Sequence, residues 1–246
     1  MKLRKLATLM TIAGITLSFA GVKSFAADQE LKSQAKVVFT APIDPDKPII
    51  DPADPNNQPP GKPDPESPGT GGLLSIDHVS NFDFETHEIK IGQTMDFFAL
   101  PQAWLEDDGT SSTKPNYVQV SDNRLTGEGW TLSVAQDGDL KTADNKILTG
   151  AQITVSNIEG VTAPSTLVQL PLVASQRIIT PGVGSQIMMS AEKDKGQGTH
   201  VARFGDNTTK GSSVKLTIPN TTTVYAKTYT ANLTWTLSDT PGTGTI

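Results

Sequence analysis

Cysteine is absent from the 246 residues, so a disulfide framework, a thiolate metal site and a lipid-modified cysteine are all excluded. Long stretches with helical periodicity are missing too, which argues against helix bundles and folds built on amphipathic helices. Basic charge is in deficit: 20 Lys and Arg stand against 26 Asp and Glu, a formal charge of −6. An acidic chain repels polyanions, so nucleic acid is not an expected partner, and adsorption to anionic lipids or teichoic acids by charge alone is disfavoured. Aromatic residues make up only 6% of the chain and tryptophan occurs three times, so where each Trp stands carries information. No apolar run is long enough for a membrane span. The longest, Leu6 to Ala20, falls short of the roughly 20 residues a spanning helix needs.

That run belongs to a secretory signal, read over residues 1–26. Lys2, Arg4 and Lys5 form its positive end, and Ser24-Phe25-Ala26 places small residues where signal peptidase reads. The signal holds four cations and no acid, so cleavage after Ala26 takes the formal charge from −6 to −10. No cysteine follows the cleavage point, and Pro241 to Ile246 hold neither a hydrophobic tail nor a basic stop. Retention at a surface is therefore expected to be noncovalent, with no transmembrane segment in the mature chain.

The rest divides by composition. Residues 27–40 form a short segment in which Lys36 to Thr40 could be a strand. Residues 41–70 hold ten of the seventeen prolines, with Asp-Pro at Asp44, Asp51, Asp54 and Asp64, and read as a semi-rigid, solvated linker. A calcium site from these acids is not expected, because proline-stiffened carboxylates rarely converge on one ion.

Residues 71–246 are rich in Thr, Ser, Val, Gly and Asn, with short alternating runs between Gly, Pro, Asn and Asp turns. The expectation is an all-β domain, a single antiparallel β-sandwich or barrel-like fold. The run 73–79 opens the ordered region and 89–91 alternates briefly; strands are predicted within 95–104 and over 117–120, 130–134, 147–148, 151–156, 167–172, 186–190, 200–204, 214–218 and 224–238. The runs at 117–120 and 130–134 read as a hairpin-like pair, with Asp122 and Arg124 pairing in its connection or Arg124 capping a buried end.

Signatures of catalysis are weak. His78, His87 and His200 lack metal-ligand spacing and read as solvated or core-edge residues. Gly-x-Ser-x-Gly elbows, phosphate loops and dinucleotide fingerprints do not occur. Asp83 with Glu85, or Glu106 to Asp108, would serve a glycosidase only by facing each other across a cleft. The expectation is a non-enzyme with no catalytic residue, no metal and no cofactor.

One pattern stands out. Trp-Thr-Leu-Ser occurs at Trp130–Ser133 and again at Trp235–Ser238, the second copy closing a strand in which Tyr229, Ala231, Leu233, Trp235 and Leu237 alternate with polar residues. Period-two alternation puts each Trp on the face of the Leu two residues on. Such a pair is either ordinary core or an exposed platform on which the C–H face of a sugar stacks without needing charge.

With the signal peptide, the Asp-Pro stretch, Gly71 to Asp77, Asp122-Asn123-Arg124 and both Trp-x-Leu motifs, the chain resembles the WxL-domain cell-surface proteins of Gram-positive bacteria. The resemblance implies a secreted β-rich module retained noncovalently at the cell wall through peptidoglycan, with Trp130, Leu132, Trp235 and Leu237 as binding residues. It also implies partnership with WxL-interacting surface proteins, one of them membrane-anchored. That leaves a second reading, a protein-interaction subunit docking on such a partner rather than on glycan.

Overall fold

The computed structural model describes residues 33–41, 47, 49–57, 60–162, 170–243 and 246. The chain separates into two compact units, Met1–Phe39 and Thr40–Ile246. In the first, the described residues 33–39 carry no regular secondary structure, so the strand expected over Lys36 to Thr40 does not form. The signal segment 1–26 lies outside the described residues.

The second unit holds, among its described residues, only strands: β1 (Lys62–Pro63), β2 (Leu74–Val79), β3 (Met95–Phe98), β4 (Gln102–Leu105), β5 (Ser111–Lys114), β6 (Asn116–Asp122), β7 (Trp130–Lys141), β8 (Gln152–Val155), β9 (Ile158–Thr162), β10 (Leu172–Val173), β11 (Arg177–Ile179), β12 (Gln186–Ala191), β13 (Gly198–Phe204), β14 (Val214–Ile218) and β15 (Thr230–Ser238). All pairings are antiparallel. The all-β expectation holds, with four small sheets in place of a strict two-layer sandwich: β1-β4-β5, β10-β12-β7-β15, β11-β8-β14-β3 and β2-β6-β13-β9.

The inward residues of the three four-stranded sheets meet in one apolar cluster. Val118, Val120, Ala202 and Phe204 come from one sheet, Leu132, Val134, Met188 and Met189 from the second, and Ile153, Val155, Leu216 and Ile218 from the third. Apart from the adjacent Met188 and Met189, where an irregularity shifts the register of β12, these are the alternate positions of short apolar runs, as a half-buried strand requires. β6 is buried along its whole length because its other face is covered as well. Tyr117 joins Ile50, Trp104 and Val201 in a second, smaller cluster.

That covering comes from the described residues of the Asp/Pro-rich stretch, which pack on the domain where the composition predicted a solvated linker. Ile50, Asp51, Pro52 and Pro63 are buried, and β1 pairs with β4. The Ile50 amide donates to Gln119 Oε1 at 3.2 Å, and Trp104 Nε1 donates to Pro60 O at 2.9 Å. Asp51 meets Lys114 Nζ at 2.7 Å, and Arg203 Nη1 donates to Pro52 O at 3.0 Å. The prolines remove ladder donors, so this strap is held by side chains and isolated backbone contacts instead of a long ladder.

The expected hairpin of 117–120 with 130–134 is also absent. β6 pairs with β2 and β13, whereas β7 pairs with β12 and β15, so the connection carries the chain from one sheet to another. Arg124 fixes that crossover. Its Nε and Nη2 donate to Asp122 Oδ1 and Oδ2 at 2.9 and 2.8 Å, and Nη2 donates to Gly129 O at 2.7 Å. Both expectations for Arg124, pairing and capping, are met by this one guanidinium. Of the remaining predicted strands, 147–148 reduces to a single bridge of Ile147 with Lys141, and residues 167–169 lie outside the described residues.

Candidate functional site

The two copies of Trp-Thr-Leu-Ser lie side by side. β15 runs antiparallel to β7, with Leu237 opposite Leu132, Thr236 opposite Ser133, Trp235 opposite Val134 and Ser238 opposite Thr131. Directly opposed residues share a face, so both Trp-Leu pairs point to the same side, toward the core. The outer side of the ribbon presents hydroxyls from Thr131, Ser133, Thr234, Thr236 and Ser238.

The two copies differ in depth. Trp130 and Leu132 are 0% exposed, because β7 is central, flanked by β12 and β15. Trp235 and Leu237 are half-buried, because β15 is the last strand of its sheet and no described strand pairs with its outer edge. The Trp130 indole donates to Gly196 O at 2.9 Å and lies 6.2 Å from the His200 ring. Gly196 has φ +74°, and a Cβ there would stand 2.4 Å from Ala191 Cβ and 2.8 Å from Trp130 Nε1. The loop at this position therefore needs glycine to close over the indole. Trp235 stacks against Phe204 with centroids 6.5 Å apart and planes at 12°.

β15 itself is unusual for an edge. Its nine residues, Thr230 to Ser238, contain no charge and no proline, the devices that commonly protect an open strand from pairing. Chemically the ribbon offers hydroxyls, an open backbone edge and the flank of an indole. These are groups for noncovalent recognition.

The titratable groups lie elsewhere. His78 is buried, stacked on Tyr117 at 4.3 Å, and its Nε2 donates to Gln102 Oε1 at 3.3 Å. Burial pushes its pKa down to about 4, and burial also lowers that of His200. His87 is exposed, stacked on Phe97, and donates to Phe84 O. The three rings are thus far apart in environment, two inside and one at the surface. The acid pairs are tied up locally. Asp83 accepts from the Glu85 amide, Asp108 accepts from Thr110, and Glu106 is bound by Lys114 at 2.8 Å. The hydrogen bond from Lys114 lowers the Glu106 pKa, the opposite of what a glycosidase proton donor requires. Among the described residues no three His, Asp or Glu side chains come together as a metal site, and no helix is long and apolar enough to cross a membrane.

Sequence reading missed one feature, an open groove of about 460 Å³ where β8, β11 and the start of β12 meet. Its polar residues are Gln152, Gln176, Arg177, Thr180 and Gln186, which belong to no motif. The one signal in the sequence is Arg177 itself, an arginine with no acid between Glu159 and Glu192.

A family model described as WxL domain surface cell wall-binding matches residues 26–241, taking in both motif strands and the Asp/Pro-rich strap. Neither a curated protein nor a solved structure gives a match.

Proposed function

The chain belongs to the WxL family of surface cell wall-binding domains, and from that premise we propose that it is a secreted, non-catalytic module that binds peptidoglycan noncovalently. The family match over most of the chain carries this reading. The acidic composition favours a contact that does not depend on net attraction to a polyanionic wall. Of the four motif residues, Trp235 and Leu237 are the two that solvent reaches, so they make the contact. Trp130 and Leu132 act from behind, holding β7 and hence the register of β15. Secretion follows the amino-terminal signal, and retention follows binding alone.

The test uses isolated, protein-free sacculi and the variants Trp235→Ala and Leu237→Ser. Each is expected to weaken wall binding about tenfold while keeping a cooperative thermal transition, as for a central contact residue. Folded variants that bind like the parent would remove these side chains from the contact.

A second reading is supported by the uncharged open edge of β15. A partner polypeptide would add a strand there through main-chain hydrogen bonds. On that reading the purified protein ignores bare sacculi, while a surface protein is recovered with it from intact cells and cross-links to β15.

A further inference from the structure

Arg177 differs from the other two arginines among the described residues. Arg124 is paired with Asp122, and Arg203 with Glu159, whereas Arg177 makes no ion pair. It is held in place all the same. Its Nε donates to Ile187 O at 2.7 Å and its Nη1 to Gln176 O at 2.7 Å. Gln186 Nε2 donates to Ile178 O at 2.9 Å, tying β12 to β11 across the seam between two sheets. Among the described residues no acceptor meets Nη2. Burial lowers the Arg177 pKa and no carboxylate offsets it. In a chain where acids outnumber bases, a guanidinium oriented by two backbone carbonyls and paired with no carboxylate among the described residues is free to receive an anionic group.

The surroundings match one kind of ligand. Gln152, Gln176 and Gln186 line the groove with Arg177, and Ile178 and Val183 give it apolar wall, exposed to 48% and 63%. Among the described residues no Asp or Glu lines it. Carboxamides both donate and accept, so they suit amide groups, and the planar guanidinium suits a carboxylate. The groove is shallow and open to solvent, about 460 Å³, so it offers a surface contact for one small group of a larger ligand. The groove also connects to the motif ribbon. Ser185 Oγ donates to Ser133 Oγ at 2.7 Å, and Gln186 and Ile187 lie opposite Val134 and Ser133 on β7.

We propose that this groove is a second contact with the wall, in which Arg177 receives a carboxylate and the three glutamines receive the flanking amides of an N-acylated, peptide-bearing amino sugar. The assignment rests on the wall-binding reading and names the chemical group recognised. A polypeptide with a free C-terminal carboxylate offers related chemistry from a different source, but a groove lined by three glutamines beside one arginine matches the amide-rich glycopeptide better.

The experiment has arms that separate the two levels. Parent protein is first bound to protein-free sacculi, and then to sacculi whose carboxyl groups have been converted to amides. Amidation is expected to weaken binding about tenfold, the loss of one charge-assisted pair. Arg177→Gln is expected to bind untreated sacculi as weakly as the parent binds amidated ones, and to lose nothing further on amidation, with Arg177→Lys in between. In titration, muramyl dipeptide is expected to bind the parent, whereas N-acetylglucosamine trisaccharide, which lacks a carboxylate, does not. The amidation and titration arms need only the parent, so they hold even where Arg177→Gln unfolds. Binding to sacculi that amidation leaves unchanged overturns the groove assignment and leaves the wall-binding reading standing. Absence of parent binding to any sacculus overturns both. Arg177-dependent binding of a peptide with a free C-terminus, without binding of muramyl dipeptide, overturns the wall as the source of the carboxylate.

Discussion

Trp130 and Trp235 open the same tetrapeptide and meet different surroundings. Trp130 is enclosed, hydrogen-bonded to Gly196 O and capped by a glycine turn, so Trp130→Ala leaves a cavity and is expected to cost about 3–5 kcal/mol. Trp235→Ala, at a half-buried edge position, is expected to cost clearly less. Urea denaturation of the two variants checks the order. Gly196→Ala is expected to destabilise in the manner of Trp130→Ala, since its Cβ would meet Ala191 and the indole at a positive φ. Period two revealed that each Trp shares a face with its Leu. It did not reveal depth, because depth depends on whether a strand is central or last in its sheet, and strand order follows from contacts across the whole chain.

A buried histidine gives a pH signature at the same scale. His78 is held neutral, with its pKa pushed down to about 4, while the unfolded chain takes up its proton near 6.5. Between those values the unfolded state binds more protons, so stability falls as pH drops from about 6.5 toward 4, by up to about 1.4 kcal/mol per unit. His200, lowered in the same direction, adds to it. Depressed carboxylates such as Asp144, down to about 2, lose their contribution below that window. Denaturation at pH 7 and pH 5 is therefore expected to differ clearly in the parent and less in His78→Gln. An unchanged difference would assign the pH dependence to other groups.

Among the elements, strands with clean alternation were legible: β14 coincides with the predicted run 214–218, and β6, β8, β12 and β13 fall on theirs to within two residues. Pairing was less legible. Two strands joined by a glycine-rich connection suggest a hairpin, yet the Arg124 guanidinium bound to Asp122 and Gly129 O turns that connection into a crossover. The Asp/Pro-rich strap departs from its composition for a related reason. Its composition describes how the free chain behaves, whereas Ile50, Asp51 and Pro63 find partners on strands 40 to 150 residues away, on the order that only tertiary contact supplies. Lys114 is the pivot, touching Asp51 at 2.7 Å and Glu106 at 2.8 Å. Lys114→Ala would leave the Asp51 carboxylate buried without its cation. It is expected to cost about 3 kcal/mol and to open residues 49–70 to limited proteolysis. A strap as resistant as in the parent would show that the apolar contacts of Ile50 suffice.

For the molecule as a whole, net charge does not draw an acidic chain to a polyanionic wall, so the wall binding proposed above rests on shape and hydrogen bonding. The motif ribbon, the open edge of β15 and the Arg177 groove lie on adjoining sheets of one unit. The groove was invisible in the sequence because Gln152, Gln176, Arg177 and Gln186 come together only when two sheets meet. The most direct measurement is a sedimentation isotherm of the purified protein with protein-free sacculi at physiological and high salt. Saturable co-sedimentation that survives high salt is expected for noncovalent wall binding without net charge attraction. Protein that stays in the supernatant at every sacculus concentration would contradict it.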